Sequence, residues 1–128
     1  MTLVLDSGGV SALAGHRARL AALRDRGAWP PQVPAVVLTE SLTGDHRADF
    51  HANQLLRMCQ VREITEPLAR DAAVLRTATG RAGSISATDA IVVAFAATQP
   101  TPVVLTSDRH DISALAAHSA TAIAVAAV

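Results

Sequence analysis

The sequence predicts an α/β fold, a three-layer α/β/α sandwich around a central, mostly parallel sheet of about five short strands. Short runs rich in β-branched residues recur along the chain and are bounded by turn residues. Amphipathic stretches lie between these runs, and strands that alternate with helices form parallel sheets covered by helices. The chain has 128 residues, of which 50% are hydrophobic and 17% charged, so we expect one domain over residues 1–128.

Five segments are predicted to be strands because β-branched residues dominate each of them. The final segment lies in an alanine-rich tail, and we expect it to form an edge strand of the sheet. The five segments are LVL at 3–5, VPAVV at 33–37, QVREI at 60–64, PVVLT at 102–106 and TAIAV at 121–125.

Helices are predicted between the strands. Residues 11–27 carry leucines at helical spacing with arginines between them, and Gly27 and Pro30 end this pattern. Residues 48–59 and 66–80 show the same periodicity, and Gly80 suits the end of the second of these helices. The stretch SATDAIVVAFAA begins a further helix, in which Ser86 and Asp89 have the spacing of a capping box.

The overall charge gives no general argument for a nucleic-acid partner. Eleven acidic residues balance eleven basic ones, and every basic residue is arginine. Aromatic residues make up only 2% of the chain, which argues against a base-stacking platform.

The single cysteine, Cys59, fits a buried small residue in a cytoplasmic protein, and no signal peptide or membrane span is indicated.

Acidic residues stand where the chemistry of such a fold is expected. Ligands of open α/β sheets bind beyond the carboxyl ends of the strands. Asp6 follows the first strand in LVLDSGG, Glu40 follows the second in VVLTE, and Asp108 follows the fourth in VVLTSD. Asp89 lies in the first turn of a helix that must pack on the sheet, so we expect it to reach the same edge.

Four converging carboxylates would raise one another's pKa unless a cation neutralised them. Mg²⁺ and Mn²⁺ prefer oxygen ligands of this kind, and such a site is suited to phosphodiester hydrolysis by metal-activated water. Taken singly, each acid is more simply explained as a helix cap or a surface residue. A metal site explains all four positions together, whereas capping requires four separate coincidences.

The segments LVLDSGGVSAL, PAVVLTES, SATDAIVVAFA and VVLTSDRHDISAL together resemble the PIN-domain ribonucleases, in particular the VapC toxins of bacterial toxin–antitoxin modules. The resemblance runs from Leu3 to about Leu115. It implies a PIN-like fold and a Mg²⁺- or Mn²⁺-dependent endoribonuclease that is a homodimer and is silenced by a small antitoxin. By resemblance, the metal ligands are Asp6, Glu40, Asp89 and Asp108.

The sequence departs from the family pattern at two places. Ser7, Gly8 and Gly9 stand where many relatives carry Thr-Ser-Ala, and Asp108 is followed by Asp111, which could supplement or replace it. Other candidate residues near the acids are the hydroxyls of Ser7, Thr88 and Ser107, the phosphate-binding arginines Arg47, Arg81 and Arg109, and His110.

Three other functions remain open. A degenerate PIN domain would retain the fold and serve only to bind a partner. A flap-type nuclease acting on DNA would carry additional helical elements. A phosphoacceptor domain or a phosphatase of the haloacid dehalogenase type resembles this acid pattern but uses an essential lysine, and this chain has none.

Overall fold

The computed structural model describes all residues from Met1 to Val128 and contains one five-stranded sheet. Every strand pair is parallel, and the strand order is β3-β2-β1-β4-β5. The predicted α/β sheet is therefore confirmed, with β1 and β4 as neighbours at its centre. The strands are β1 (Thr2–Leu5), β2 (Gln32–Pro34), β3 (Gln60–Arg62), β4 (Pro102–Thr106) and β5 (Ala124–Ala127).

Seven helices flank the sheet and complete the three layers. One group centres on α1, which contacts α2, α3 and α4, and the other centres on α6, which contacts α5 and α7. None of the helices is long and apolar enough to cross a membrane. They are α1 (Ser7–Leu13), α2 (Arg17–Asp25), α3 (Leu38–Ser41), α4 (Phe50–Met58), α5 (Glu66–Ala78), α6 (Ala87–Ala96) and α7 (Arg109–Ala116).

Helix α6 is the most deeply buried helix, which explains why its sequence is apolar on nearly all sides. Six of its residues, Ala90 and Val92–Ala96, are buried between the sheet and the neighbouring helices. The strands contribute fully buried side chains from Val4, Leu5 and Val104 to the same core. This burial fixes the N-terminal turn of α6, and therefore Asp89, relative to the strand ends.

The single helix predicted over 11–27 is wrong, because the chain forms two helices there. Helix α1 ends at Leu13 and α2 begins at Arg17, with Gly15 between them at φ 75°. A positive φ is incompatible with a continuing right-handed helix and is adopted easily by glycine. Helix α1 also begins earlier than predicted, immediately after Asp6.

Three predicted strands differ from the structure by two or more residues at one or both ends, and the one predicted over 60–64 ends at Arg62. The strand predicted over 33–37 ends at Pro34, and Ala35–Val37 form a 3₁₀ turn that leads directly into α3. Pro34 has no backbone N–H to extend the ladder, which explains the early end. The strand predicted over 121–125 occupies Ala124–Ala127 instead, because Ser119 and Thr121 form a hydrogen-bonded turn.

The other predicted elements agree with the structure to within two residues at each end. The strand at 102–106 has the predicted bounds, and β5 lies at the edge of the sheet. Gly80 follows α5 with φ 69°. Cys59 is half-buried, and burial raises the pKa of its thiol to about 11, so the thiol stays protonated and unreactive near neutral pH.

Candidate metal centre

Asp6 stands at the carboxyl end of β1 and is only 4% exposed. It caps α1, because its Oδ1 accepts a hydrogen bond from the Gly9 N–H at 2.8 Å. Its Oδ2 accepts a hydrogen bond from the hydroxyl of Thr106 at the end of β4. Burial raises the pKa of Asp6, the hydrogen bonds from Thr106 and the backbone oppose this shift, and the negative charge of Glu40 adds to it.

Two glycines allow the first turn of α1 to approach β4 closely. A Cβ atom at Gly9 would lie 2.5 Å from the Leu105 carbonyl oxygen, and one at Gly8 would lie 2.6 Å from the Ser107 backbone nitrogen. These positions therefore have no room for a side chain. The close approach explains the Gly8-Gly9 pair, which departs from the family pattern.

Asp89 lies in the first turn of α6, as predicted. The Ser86 hydroxyl caps this helix by accepting a hydrogen bond from the Asp89 N–H at 3.0 Å. The Asp89 carboxylate accepts no backbone hydrogen bond, so it is not needed to cap the helix. Burial raises the pKa of Asp89 to about 6; the Ser86 hydroxyl opposes this shift, and the charges of Asp108, Asp6 and Glu40 add to it.

Asp108 caps α7 at the end of β4. Its Oδ1 accepts a hydrogen bond from the Asp111 N–H at 3.1 Å, and its own N–H donates to the Thr106 hydroxyl at 2.8 Å. Carboxylate oxygens of Asp89, Asp108 and Asp111 all lie within 4.8 Å of one another. Asp111 therefore lies in the same cluster as Asp108 and Asp89.

Glu40 reaches the same region from α3, on an exposed part of the surface. Its Oε2 accepts a hydrogen bond from the Ser7 hydroxyl at 3.4 Å, which links it to the residue that follows Asp6. Its charge contributes to the raised pKa of both Asp6 and Asp89. The structure thus brings all four predicted acids to one edge of the sheet, although Glu40 and Asp6 lie outside the tight group of three.

The donor set fits a hard divalent cation. The group consists entirely of carboxylates, and oxygen ligands are those that Mg²⁺ and Mn²⁺ prefer. The raised pKa values of Asp6 and Asp89 reflect burial and repulsion by neighbouring carboxylates, and a bound cation would favour the ionised forms of both. No histidine belongs to the group, and His110 contacts only Asp111, with its Nδ1 3.2 Å from Oδ1.

Sequence reasoning missed Thr106, the hydroxyl that connects two of the acids. Thr106 is fully buried and bonds both the Asp6 carboxylate and the Asp108 N–H. Of the three hydroxyls named from the sequence, Ser7 contacts an acid, whereas Thr88 and Ser107 donate no hydrogen bond to one. The signal for Thr106 was its place as the last residue of a strand, two positions before Asp108.

The three candidate arginines have different surroundings. Arg81 donates from Nη2 to Asp111 Oδ1 at 2.8 Å, and this ion pair lowers the pKa of Asp111. Arg47 and Arg109 are exposed and form no salt bridge within the chain. Their guanidinium groups are available for a partner from outside.

No protein-family model and no curated protein matches the chain. Solved structures do match over nearly its full length. A chain of DNA-bound VapBC from Salmonella typhimurium has a TM-score of 0.71 and 13% identity, with 99% of this chain and 98% of that chain covered. A chain of VapBC2 from Rickettsia felis, bound to a promoter DNA fragment, has a TM-score of 0.71 and 12% identity, with coverage of 100% and 99%.

FitAB bound to the IR36 DNA fragment matches with a TM-score of 0.62 and 19% identity, covering 98% of this chain and 94% of the matched chain. At this identity the likeness concerns the fold. The chain has a PIN-like α/β/α fold, as the sequence resemblance implied.

Proposed function

We propose that this protein is a metal-dependent endoribonuclease and the toxin component of a toxin–antitoxin pair. The observation that carries the proposal is the meeting of carboxylates from separate elements at one edge of a PIN-like sheet. The charges of Asp108, Asp6 and Glu40 all act on Asp89 there. The repulsion from these three acids disfavours the ionised form of Asp89, whereas a bound cation would offset it.

In this proposal Asp6, Glu40, Asp89 and Asp108 hold Mg²⁺ or Mn²⁺. When bound, such a cation supplies a nucleophilic water and offsets negative charge on the scissile phosphate. Asp6 is the most rigid ligand, because both of its oxygens accept hydrogen bonds from the fold. Asp89 is held by a buried helix and presents a carboxylate that no backbone group occupies.

RNA has to be attracted by local groups, because the chain has no net charge. Arg47 and Arg109 are exposed, lie near the acidic residues in sequence, and have no internal salt bridge. We assign them to contacts with RNA phosphates. The cytoplasm, where RNA is abundant and the Cys59 thiol stays reduced, is the proposed location.

Cleavage of purified total RNA tests the function. The protein is incubated with Mg²⁺, with Mn²⁺ and with EDTA, alongside Asp89→Asn and the surface control Asp71→Asn, whose carboxyl is exposed on α5. Discrete fragments that require the metal, disappear in Asp89→Asn and persist in Asp71→Asn are the expected result. Binding of a partner without cleavage of RNA or DNA under any metal would instead identify a non-catalytic binding module.

A groove between α2 and α4 is the surface we assign to the antitoxin. Its volume is about 980 Å³, and its lining includes Leu20, Leu55 and Met58. Phe50 stands at this groove with 53% of its surface exposed, so the groove presents an aromatic side chain to solvent. An amphipathic helix lays its apolar face into grooves of this type.

The charge of the groove indicates an acidic partner. Arg17, Arg24 and Arg57 line it, whereas Asp25 is its only acid. A symmetric dimer formed through this face would place the same arginines of two copies against each other, which is unfavourable. The groove therefore suits an acidic helix of a different protein. The expected homodimer stays a prediction, and sedimentation of the isolated protein tests it.

A further inference from the structure

Asp111 and Asp108 use their carboxylates in the same way. Asp108 Oδ1 accepts the N–H of Asp111, and Asp111 Oδ1 accepts Arg81 Nη2 and lies beside His110 Nδ1. Neither residue has a protein partner on Oδ2. Each can therefore offer one oxygen to a cation while the other oxygen is held by the protein, an arrangement typical of ligands oriented by neighbouring groups.

Arg81 is held firmly enough to orient another side chain. Its carbonyl oxygen accepts the N–H groups of Ser84 and Ile85, both at 2.9 Å. Its own N–H donates to the Thr79 hydroxyl at 3.1 Å, directly after the turn at Gly80. These bonds fix the loop between α5 and α6, so the guanidinium reaches Asp111 from an anchored backbone.

The ion pair between Arg81 and Asp111 also differs from an ordinary surface pair. The Asp111 side chain is only 17% exposed and that of Arg81 is 37% exposed, whereas both members of the pair between Arg70 and Glu66 are 77% exposed. Partial burial and a separation of 2.8 Å favour a defined geometry. A freely solvated pair would give Asp111 no fixed direction.

From this geometry we infer that Asp111 is a fifth ligand of the proposed cation and that Arg81 is its positioning residue. The inference rests on the proposed metal site and adds two residues to it. Arg81 holds Oδ1 of Asp111 and leaves Oδ2 without a protein partner, so that this oxygen would be free to bind the cation. It also offsets the charge of a third carboxylate in a group whose oxygens lie within 4.8 Å of one another.

Binding of Mn²⁺ to the RNA-free protein tests the inference by calorimetry. Arg81→Gln and Asp111→Asn are each expected to raise the Kd for Mn²⁺ about tenfold, as is usual when a group that orients a metal ligand is lost. The double variant should lose little more than either single one, because both changes remove the same ligand. Arg81→Lys should recover part of the affinity, and Arg70→Gln, which breaks the exposed pair, should bind as the unmodified protein does.

Two results would overturn the inference while leaving the metal site intact. Tighter Mn²⁺ binding in Arg81→Gln would mean that Arg81 holds Asp111 away from the cation. Unchanged binding in Asp111→Asn, with binding lost in Asp89→Asn, would limit the ligands to the four predicted acids. Absence of Mn²⁺ binding in the unmodified protein would overturn the proposed function itself. Circular dichroism of each variant verifies that it is folded.

Discussion

The buried hydroxyl of Thr106 donates a hydrogen bond to Asp6 Oδ2 and thereby joins the carboxyl ends of β1 and β4. The Thr106 hydroxyl oxygen also accepts a hydrogen bond from the N–H of Asp108 at 2.8 Å. One side chain therefore fixes the carboxylate of one proposed ligand and the backbone of another. The two strands that it joins are neighbours in the sheet although about a hundred residues separate them, as the Asp6–Thr106 spacing shows.

Thr106→Val is expected to destabilise the protein and weaken metal binding. Valine keeps the shape of threonine but leaves the Asp6 carboxylate and the Asp108 N–H without their partner. An unsatisfied buried polar group costs about 1 to 3 kcal/mol of unfolding free energy. Urea denaturation measures this loss. Thr106→Ser retains the hydroxyl and should keep Mn²⁺ affinity closer to that of the unmodified protein, so equal affinities in the two variants would contradict the role of the hydroxyl.

The stability of the metal-free protein is expected to fall as pH rises from about 4 to about 6. The pKa of Asp89 is raised from 3.8 to about 6 in the folded state, so the folded protein binds the proton more tightly than the unfolded chain does. This contribution is fully present below pH 3.8 and is lost as pH rises through about 6. Asp6 acts in the same direction, because its pKa is also raised.

Urea unfolding in EDTA across this pH range measures the effect. Asp89→Asn should show a shallower decline than the unmodified protein, whereas Asp71→Asn should follow the unmodified protein. Saturating Mg²⁺ should restore stability near neutral pH, because a cation favours the ionised carboxylates. An equal slope in Asp89→Asn and the unmodified protein would show that Asp89 does not titrate in this range.

Gly9→Ala is expected to be destabilising. Its new Cβ atom would meet the Leu105 carbonyl oxygen at 2.5 Å, and a backbone atom cannot move aside without shifting β4. Forcing an extra carbon into a packed region costs about 1 to 3 kcal/mol of unfolding free energy. Gly83→Ala is the matched control, because nothing lies within 4 Å of its Cβ position. Thermal unfolding of both variants checks the difference, and equal melting temperatures would contradict the close approach.

Phe50→Ala is expected to weaken capture of the proposed antitoxin. The experiment co-expresses a candidate antitoxin with this chain and recovers the complex through a tag on this chain. Loss of a hot-spot side chain from an interface costs about 2 kcal/mol or more of binding free energy, or about thirtyfold in affinity. Val74→Ala is the control, because Val74 is 68% exposed on α5 and lies outside the groove.

Arg57→Glu provides the electrostatic part of the same test. Reversal of this charge should weaken the binding of an acidic partner and should make the affinity less dependent on salt. If Phe50→Ala and Arg57→Glu instead change the sedimentation of the isolated protein and leave partner capture unaffected, the groove is an interface between copies of this chain.

The parts of the fold that were predictable from sequence are those set by local chemistry. The run PVVLT bounded by prolines and a serine gives β4 its observed limits, and Ser86 and Asp108 cap the helices that follow them. The break at Gly15 was missed because leucines continue at helical spacing on both sides of it. The spacing of apolar residues does not reveal that a single residue between them, Gly15, has a positive φ value.

The acids of the site were predictable because a parallel sheet aligns the carboxyl ends of its strands. The side chains that form hydrogen bonds with these acids were not predictable from the sequence. Thr106 and Arg81 owe their roles to contacts with residues far away in sequence, Asp6 and Asp111 respectively. A threonine at a strand end and an arginine after a helix are common features, and only the tertiary arrangement distinguishes these two.

The pairing of β1 with β4 has a consequence for synthesis of the chain on the ribosome. Asp6 emerges early, but Thr106 and Asp108 emerge only when most of the 128 residues have been made. An incomplete nascent chain therefore lacks both the hydroxyl that holds Asp6 and the proposed ligands Asp108 and Asp111. If the protein cleaves RNA, this strand order protects the messenger and the ribosome that are producing it until translation is almost finished.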